Sequence, residues 1–258
     1  MFNYKLINRR RYKMLNLIRL LIGIACSINL SAIAAPDPQT LLANSDRARG
    51  GGLPGIIWEI NLVSTENGRV IDAQDFEVSA IEEASVAETL RPPRFRGSKL
   101  LQIGHNMWIT RPGLSKPIPI SPRQRLSGMV SNGDIAATNY VGDYNPELVG
   151  EETVQSEPCY VLELTAKHKR ATYNRIRYWI SKSREVGVKA EFYSLSNKLM
   201  KIANFNYKNN IVYAEKTIPF ISDMTIKDAL MDAVTTMKYG TITVKSISPN
   251  KFDLGQIQ

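Results

Sequence analysis

From Ile56 to Val63 apolar and polar positions alternate. Trp58, Ile60 and Leu62 fall on one side and Glu59 and Asn61 on the other, the period of a half-buried strand. Asn67-Gly68 supplies a turn into a second such run over 70–78, so the two are predicted to form a hairpin. Residues 100–110 read as one further extended piece that stops at Arg111-Pro112-Gly113. More strands are expected over 159–166, 175–181, 188–195, 201–207, 211–216 and 235–247.

Helical signals are fewer. Asp37 can cap, Pro38 suits a first helical position, and Leu41, Leu42 and Ala48 give a partial apolar face that Gly50-Gly51-Gly52 ends. Ser121-Pro122-Arg123-Gln124 has the form of a capping box and predicts a helix to about Val130. Thr225-Ile226-Lys227-Asp228, with Ile226, Ala229, Leu230 and Ala233 on one face, predicts another. The pattern is therefore mostly β within an α+β class: a meandering antiparallel sheet of about ten strands. Three short helices cannot shield so large a sheet, so it must curl on itself or leave an apolar concavity.

The N-terminus changes how the charge is read. Arg9, Arg10, Arg11 and Lys13 precede a largely apolar run from Leu15 to Leu30, followed by Ser31-Ala32-Ile33-Ala34-Ala35-Pro36. That order is expected of a secretory signal peptide over 1–34, cut before Ala35. A permanent transmembrane anchor fits less well because Arg19 interrupts the apolar run. Residues 1–34 carry six Lys/Arg and no acid, so removing them takes the formal charge from +9 to +3. The basicity that would suggest nucleic-acid binding thus belongs mostly to the leader. Cys26 would leave with it, which makes Cys159 the sole mature cysteine and an internal disulfide impossible. Lipidation of Cys26 fits less well, because Gly23-Ile24-Ala25-Cys26 lacks the leucine usual three positions earlier. The remaining 258 − 34 = 224 residues are enough for a single large domain over 35–258.

Catalytic constellations are thin. His105 and His168 stand 63 positions apart with no metal-ligand spacing, so no metal is expected. No G-x-S-x-G elbow and no phosphate loop is present, and no cofactor or enzymatic activity is expected. Asp134, Asp143, Glu151 and Glu152 are read as turn chemistry rather than a Ca²⁺ site. Arg91, Arg94 and Arg96 flank Phe95 in a proline-stiffened loop that could meet anionic headgroups or a partner protein.

Three blocks then carry a family resemblance. Residues 100–109 (Leu-Leu-Gln-Ile-Gly-His-Asn-Met-Trp-Ile) are followed by Lys116-Pro117-Ile118-Pro119-Ile120-Ser121-Pro122-Arg123-Gln124 and, further on, by Ser131-Asn132-Gly133-Asp134-Ile135-Ala136. With Lys189-Ala190-Glu191-Phe192-Tyr193 and Met224-Thr225-Ile226-Lys227-Asp228, they resemble the LolA-like outer-membrane lipoprotein-sorting proteins over roughly residues 37–247. The resemblance implies a curved, half-open antiparallel β-barrel with short helices covering its mouth. It further implies a periplasmic carrier or acceptor that shields the acyl chains of a lipid or lipoprotein. A docking module for an inner-membrane lipid exporter is the alternative. Alternation alone selects Trp58, Ile60, Leu62, Leu162, Leu164, Tyr178 and Ile180 as lining for such a cavity.

Overall fold

The computed structural model describes residues 35–136 and 139–257; the expected leader over 1–34 lies outside them. Helix α1 (Pro38–Arg47) starts as predicted, with the Asp37 carboxylate accepting from the Thr40 amide and Pro38 in the first turn. Strands β1 (Ile56–Glu66) and β2 (Arg69–Ile81) follow as the expected hairpin. Asn67 and Gly68 both take positive φ (49° and 73°), which matches the twist of a two-residue hairpin turn. The meander continues through β3 (Ala84–Arg91), β4 (Lys99–Ile103), β5 (Asn106–Thr110) and β6 (Ile118–Ile120). The single strand expected over 100–110 is thus two, folded back at Gly104-His105, because Gly104 adopts a positive φ that breaks the extended run.

After β6 the chain leaves the sheet. It forms a small ribbon, β7 (Arg125–Ser127) with β8 (Val130–Ser131), and two short helices, α2 (Asn132–Ala136) and α3 (Tyr140–Asp143). It then rejoins as β9 (Tyr144–Val154), β10 (Glu157–Ala166), β11 (Arg175–Ser181), β12 (Gly187–Tyr193) and β13 (Leu199–Asn206). A separate hairpin, β14 (Asn209–Tyr213) with β15 (Lys216–Phe220), precedes β16 (Asp223–Asp228) and β17 (Ala233–Val244).

Thirteen strands make one antiparallel sheet in the order β6-β5-β4-β3-β2-β1-β17-β16-β13-β12-β11-β10-β9, more than the ten or so expected. The β1–β17 pairing joins the two halves of the chain. The edges β6 and β9 do not pair with each other, so the sheet is not closed. It is nevertheless strongly curved. The β4–β5 turn and the β10–β11 loop would lie roughly 45 Å apart in a flat sheet, at about 4.8 Å per strand. Yet His105 and His168, one in each, have ring centroids 3.9 Å apart.

Two predicted helices are strand and turn instead. Over 121–130 the first turn begins as a helix would, with the Gln124 amide donating to Ser121 O. Tertiary bonds then overrule it. Gly128 has φ +50°, and a Cβ there would lie 2.2 Å from Ser64 Oγ. Ser127 donates to Asp72, and the Met129 amide donates to Thr235 Oγ1. A helix this short has little stability of its own to set against them. Over 225–233 period two wins: Met224 and Ile226 are buried in β16, whereas Leu230, on the expected helical face, is 93% exposed. The Asp228 carboxylate accepts from the amides of Leu230 and Met231 and turns the chain there.

Candidate functional site

The inner face of the curved sheet carries one continuous apolar cluster. All seven residues chosen by alternation lie in it, each 2% exposed or less: Trp58, Ile60 and Leu62 on β1, Leu162 and Leu164 on β10, and Tyr178 and Ile180 on β11. Register brings them into rows, with Ile60 opposite Phe76 and Tyr239, Leu62 opposite Met237, and Leu162 opposite Tyr178. The face is covered rather than open. Leu41 and Leu42 of α1, Val130 and Ile135 of the segment between β6 and β9, and Ile211 and Phe220 of the β14–β15 hairpin close over it. Trp58 meets Phe220 edge-on at 6.2 Å between centroids.

Beneath α1 the interior is unusually polar. Arg49, two residues past the helix, is buried with its guanidinium 4.4 Å above the Tyr140 ring and 5.8 Å from that of Phe205. Tyr140, Tyr144, Tyr178 and Phe205 pack edge to face around it. Among the described residues no carboxylate lies within ion-pair distance of Arg49, and its Nη1 has no hydrogen-bond partner. The same is true of Asp46 Oδ1, Trp58 Nε1 and the Tyr178 hydroxyl. Such groups cost about 1–3 kcal/mol each when buried and unmatched. Three of the four are donors. Sequence reading passed over Asp46 and Arg49, since charged residues on a short surface helix ordinarily face water. Only their place at the Gly50-Gly51-Gly52 break distinguished them.

Hydrogen bonds join α1 and the residues just after it to the rest of the fold. The Val141 amide donates to Asp46 Oδ2 (2.9 Å), the Ile221 amide to Ala48 O (3.0 Å), and Asn44 to Glu185 (2.8 Å). Burial raises the Asp46 carboxyl from 3.8 to about 7, against the pull of the Val141 amide and of Arg49. A carboxyl raised in the docked state keeps a proton that the undocked state gives up, so its contribution to docking falls as pH climbs from about 4 to 7 and is flat above that. Hydrogen exchange of the α1 amides, corrected for intrinsic rates, is therefore expected to lose protection over this range by on the order of a hundredfold. Asp46→Asn removes the dependence; equal protection at pH 4.5 and 7.5 in the unaltered protein contradicts it.

The arginines of the 91–96 loop stand apart from this interior. Arg91 pairs with Asp75, Arg94 lies 3.9 Å from Asp72 and stacks on Phe95, and Arg96 is exposed. Among the described residues no helix is long and apolar enough to cross a membrane. Cys159 is buried and unpaired.

Residues 82–258 match a family model described as "-like: Uncharacterized protein". No curated protein matches the chain. Among solved structures it resembles a LolA superfamily protein from Nitrosomonas europaea, at 30% identity and a TM-score of 0.75, over 85% of this chain and 98% of that one. A DUF1329 family protein from Desulfovibrio piger shares the fold at 21% identity and a TM-score of 0.73, over 86% and 100% of the two chains. So does a domain named for outer membrane lipoprotein sorting from Vibrio parahaemolyticus, at 16% identity and a TM-score of 0.71, over 85% and 97%.

Proposed function

Because the chain belongs to the LolA superfamily, we propose that it is a periplasmic carrier or acceptor that shields lipid or lipoprotein acyl chains on the inner face of its curved, open sheet. The observation that carries this reading is the pairing of an apolar, strongly curved face with a cover that leaves buried polar groups unmatched beneath it. Acyl chains would displace α1, hinged at Gly50-Gly51-Gly52, and lie along Trp58, Ile60, Leu62, Leu162, Leu164, Tyr178 and Ile180. The unmatched donors of Arg49, Trp58 and Tyr178 suit ester or phosphate oxygens at the head of such a molecule. A sixteen-carbon chain yields on the order of 12 kcal/mol gross when buried, at ~0.8 kcal/mol per CH₂. Re-docking of the cover competes with that gain and permits release. Elements that move in this way come from the less stable parts of a fold.

Native mass spectrometry of the protein purified after export tests the reading. A reproducible adduct that dissociates as a lipid or acylated peptide is expected, on a chain beginning at Ala35. A bare mass, with no uptake from added vesicles, overturns the carrier reading. The docking alternative then predicts capture of an inner-membrane exporter that is lost on charge reversal at Arg94 and Arg96. It has less to draw on, since Arg91 and Arg94 already face Asp75 and Asp72.

A further inference from the structure

His105, Asp143 and His168 come from three separate pieces of chain: the β4–β5 turn, the end of α3 and the loop after β10. Their ligand atoms nevertheless lie within 4.8 Å of one another. His105 Nδ1 and His168 Nε2 are each 3.1 Å from the same oxygen, Asp143 Oδ1. Ligands about 2.0–2.1 Å from one tetrahedral ion stand about 3.3 Å apart, close to these separations. We propose that His105, Asp143 and His168 bind a divalent transition-metal ion of the zinc class, which ties together the two margins of the open sheet.

Several features favour this over a chance meeting of side chains. Two imidazoles converge on a single carboxylate oxygen, an arrangement that one cation satisfies better than two competing hydrogen bonds. The donor set of two ring nitrogens and one carboxylate suits Zn²⁺, Co²⁺ or Ni²⁺, while Mg²⁺ and Ca²⁺ prefer oxygen alone. The site is accessible: the His105 side chain is 48% exposed, and with Asp143 it walls a cleft of about 430 Å³. Glu82 and Glu83 line the same cleft and add negative charge. Three protein ligands leave a fourth position for water.

Opposing features set the expected strength. Lys169 and Arg170 line the neighbouring cleft, and Lys167 donates to Val141 O close by, so positive charge lowers the local field. His168 Nδ1 is buried without a partner, so no outer hydrogen bond fixes that ring. Binding is accordingly expected to be moderate and reversible rather than permanent. Its structural consequence follows from the topology. The β4–β5 and β10–β11 connections are nine strand places apart around the sheet, and these three side chains join them where no β-ladder does.

The test uses the exported protein, stripped with chelator and titrated with Zn²⁺ or Co²⁺ alone. One ion per chain is expected, with a tetrahedral Co²⁺ absorption band and a thermal midpoint several degrees higher in Zn²⁺ but unmoved by Mg²⁺ or Ca²⁺. His105→Ala and Asp143→Asn should each weaken binding at least tenfold. Should a variant misfold, long-range ¹⁵N spectra of the unaltered protein still decide: both His105 and His168 ring nitrogens must shift on loading. No saturable binding, or binding that persists unchanged in the variants, overturns the proposal.

Discussion

Lys201→Met is expected to lower the thermal midpoint by roughly 10 °C. Lys201 on β13 and Asp134 on α2 form an ion pair at 2.9 Å, with side chains 5% and 3% exposed. The same ammonium donates to Met129 O, and the Asp134 carboxylate also accepts from the Ser131 amide (2.8 Å) and the Tyr173 hydroxyl (2.7 Å). Together these bonds pin the segment that crosses between the sheet edges. Removing the cation strands a buried carboxylate, which costs about 3–5 kcal/mol. In a domain of this size each kcal/mol moves the midpoint by about 2–4 °C. Lys201→Met combined with Asp134→Asn leaves no unpaired charge yet keeps an acceptor for Ser131 and Tyr173, so it should recover more than half the loss. Calorimetry of the two variants checks this; a single-variant cost below 1 kcal/mol would mean that the crossing segment is held by its apolar contacts alone.

Arg49→Met is expected to do the opposite: to leave stability within about 1 kcal/mol of the original while weakening lipid capture about 10–100-fold. A buried guanidinium with an unmatched Nη1 and no carboxylate at ion-pair distance contributes little to folding, because its desolvation offsets its contacts with the Tyr140 and Phe205 rings. Methionine keeps most of the volume and the ring contact. What it cannot do is donate to an ester or phosphate oxygen, an interaction worth about 1.5–3 kcal/mol for a charged donor. Uptake of a fluorescent acyl lipid, measured beside calorimetry, separates the two effects. Unchanged uptake would remove Arg49 from the binding site, and a large loss of stability would make it a structural residue.

The inner face of the sheet could be read directly from the chain, because strand alternation reports which side of a pleat is buried regardless of what the strand pairs with. Trp58, Ile60 and Leu62, and later Tyr178 and Ile180, needed nothing more. The turn at Asn67-Gly68 and the Asp37-Pro38 start of α1 were likewise legible, since both are settled by bonds within a few residues. The two mistaken helices failed for the complementary reason. Local capping signals at Ser121 and Thr225 are weak; hydrogen bonds with Asp72, Thr235 and Lys201, distant in sequence, outweighed the first, and pairing of β16 with β13 and β17 outweighed the second.

The polar groups under the cover and the histidine cluster were out of reach of such reasoning. Nothing in a linear pattern places Arg49 over Tyr140, 91 positions away, or brings His105 and His168 to a shared carboxylate. By itself the sequence determined strand periodicity, the inner face, the local turns and a family resemblance, all of which depend on neighbours a few residues apart. Only the tertiary structure decided the thirteen-strand order, the curvature that brings the margins together and the chemistry found where they meet. Those depend on pairings such as β1 with β17, whose partners are separated by most of the chain and are selected by packing rather than by local preference.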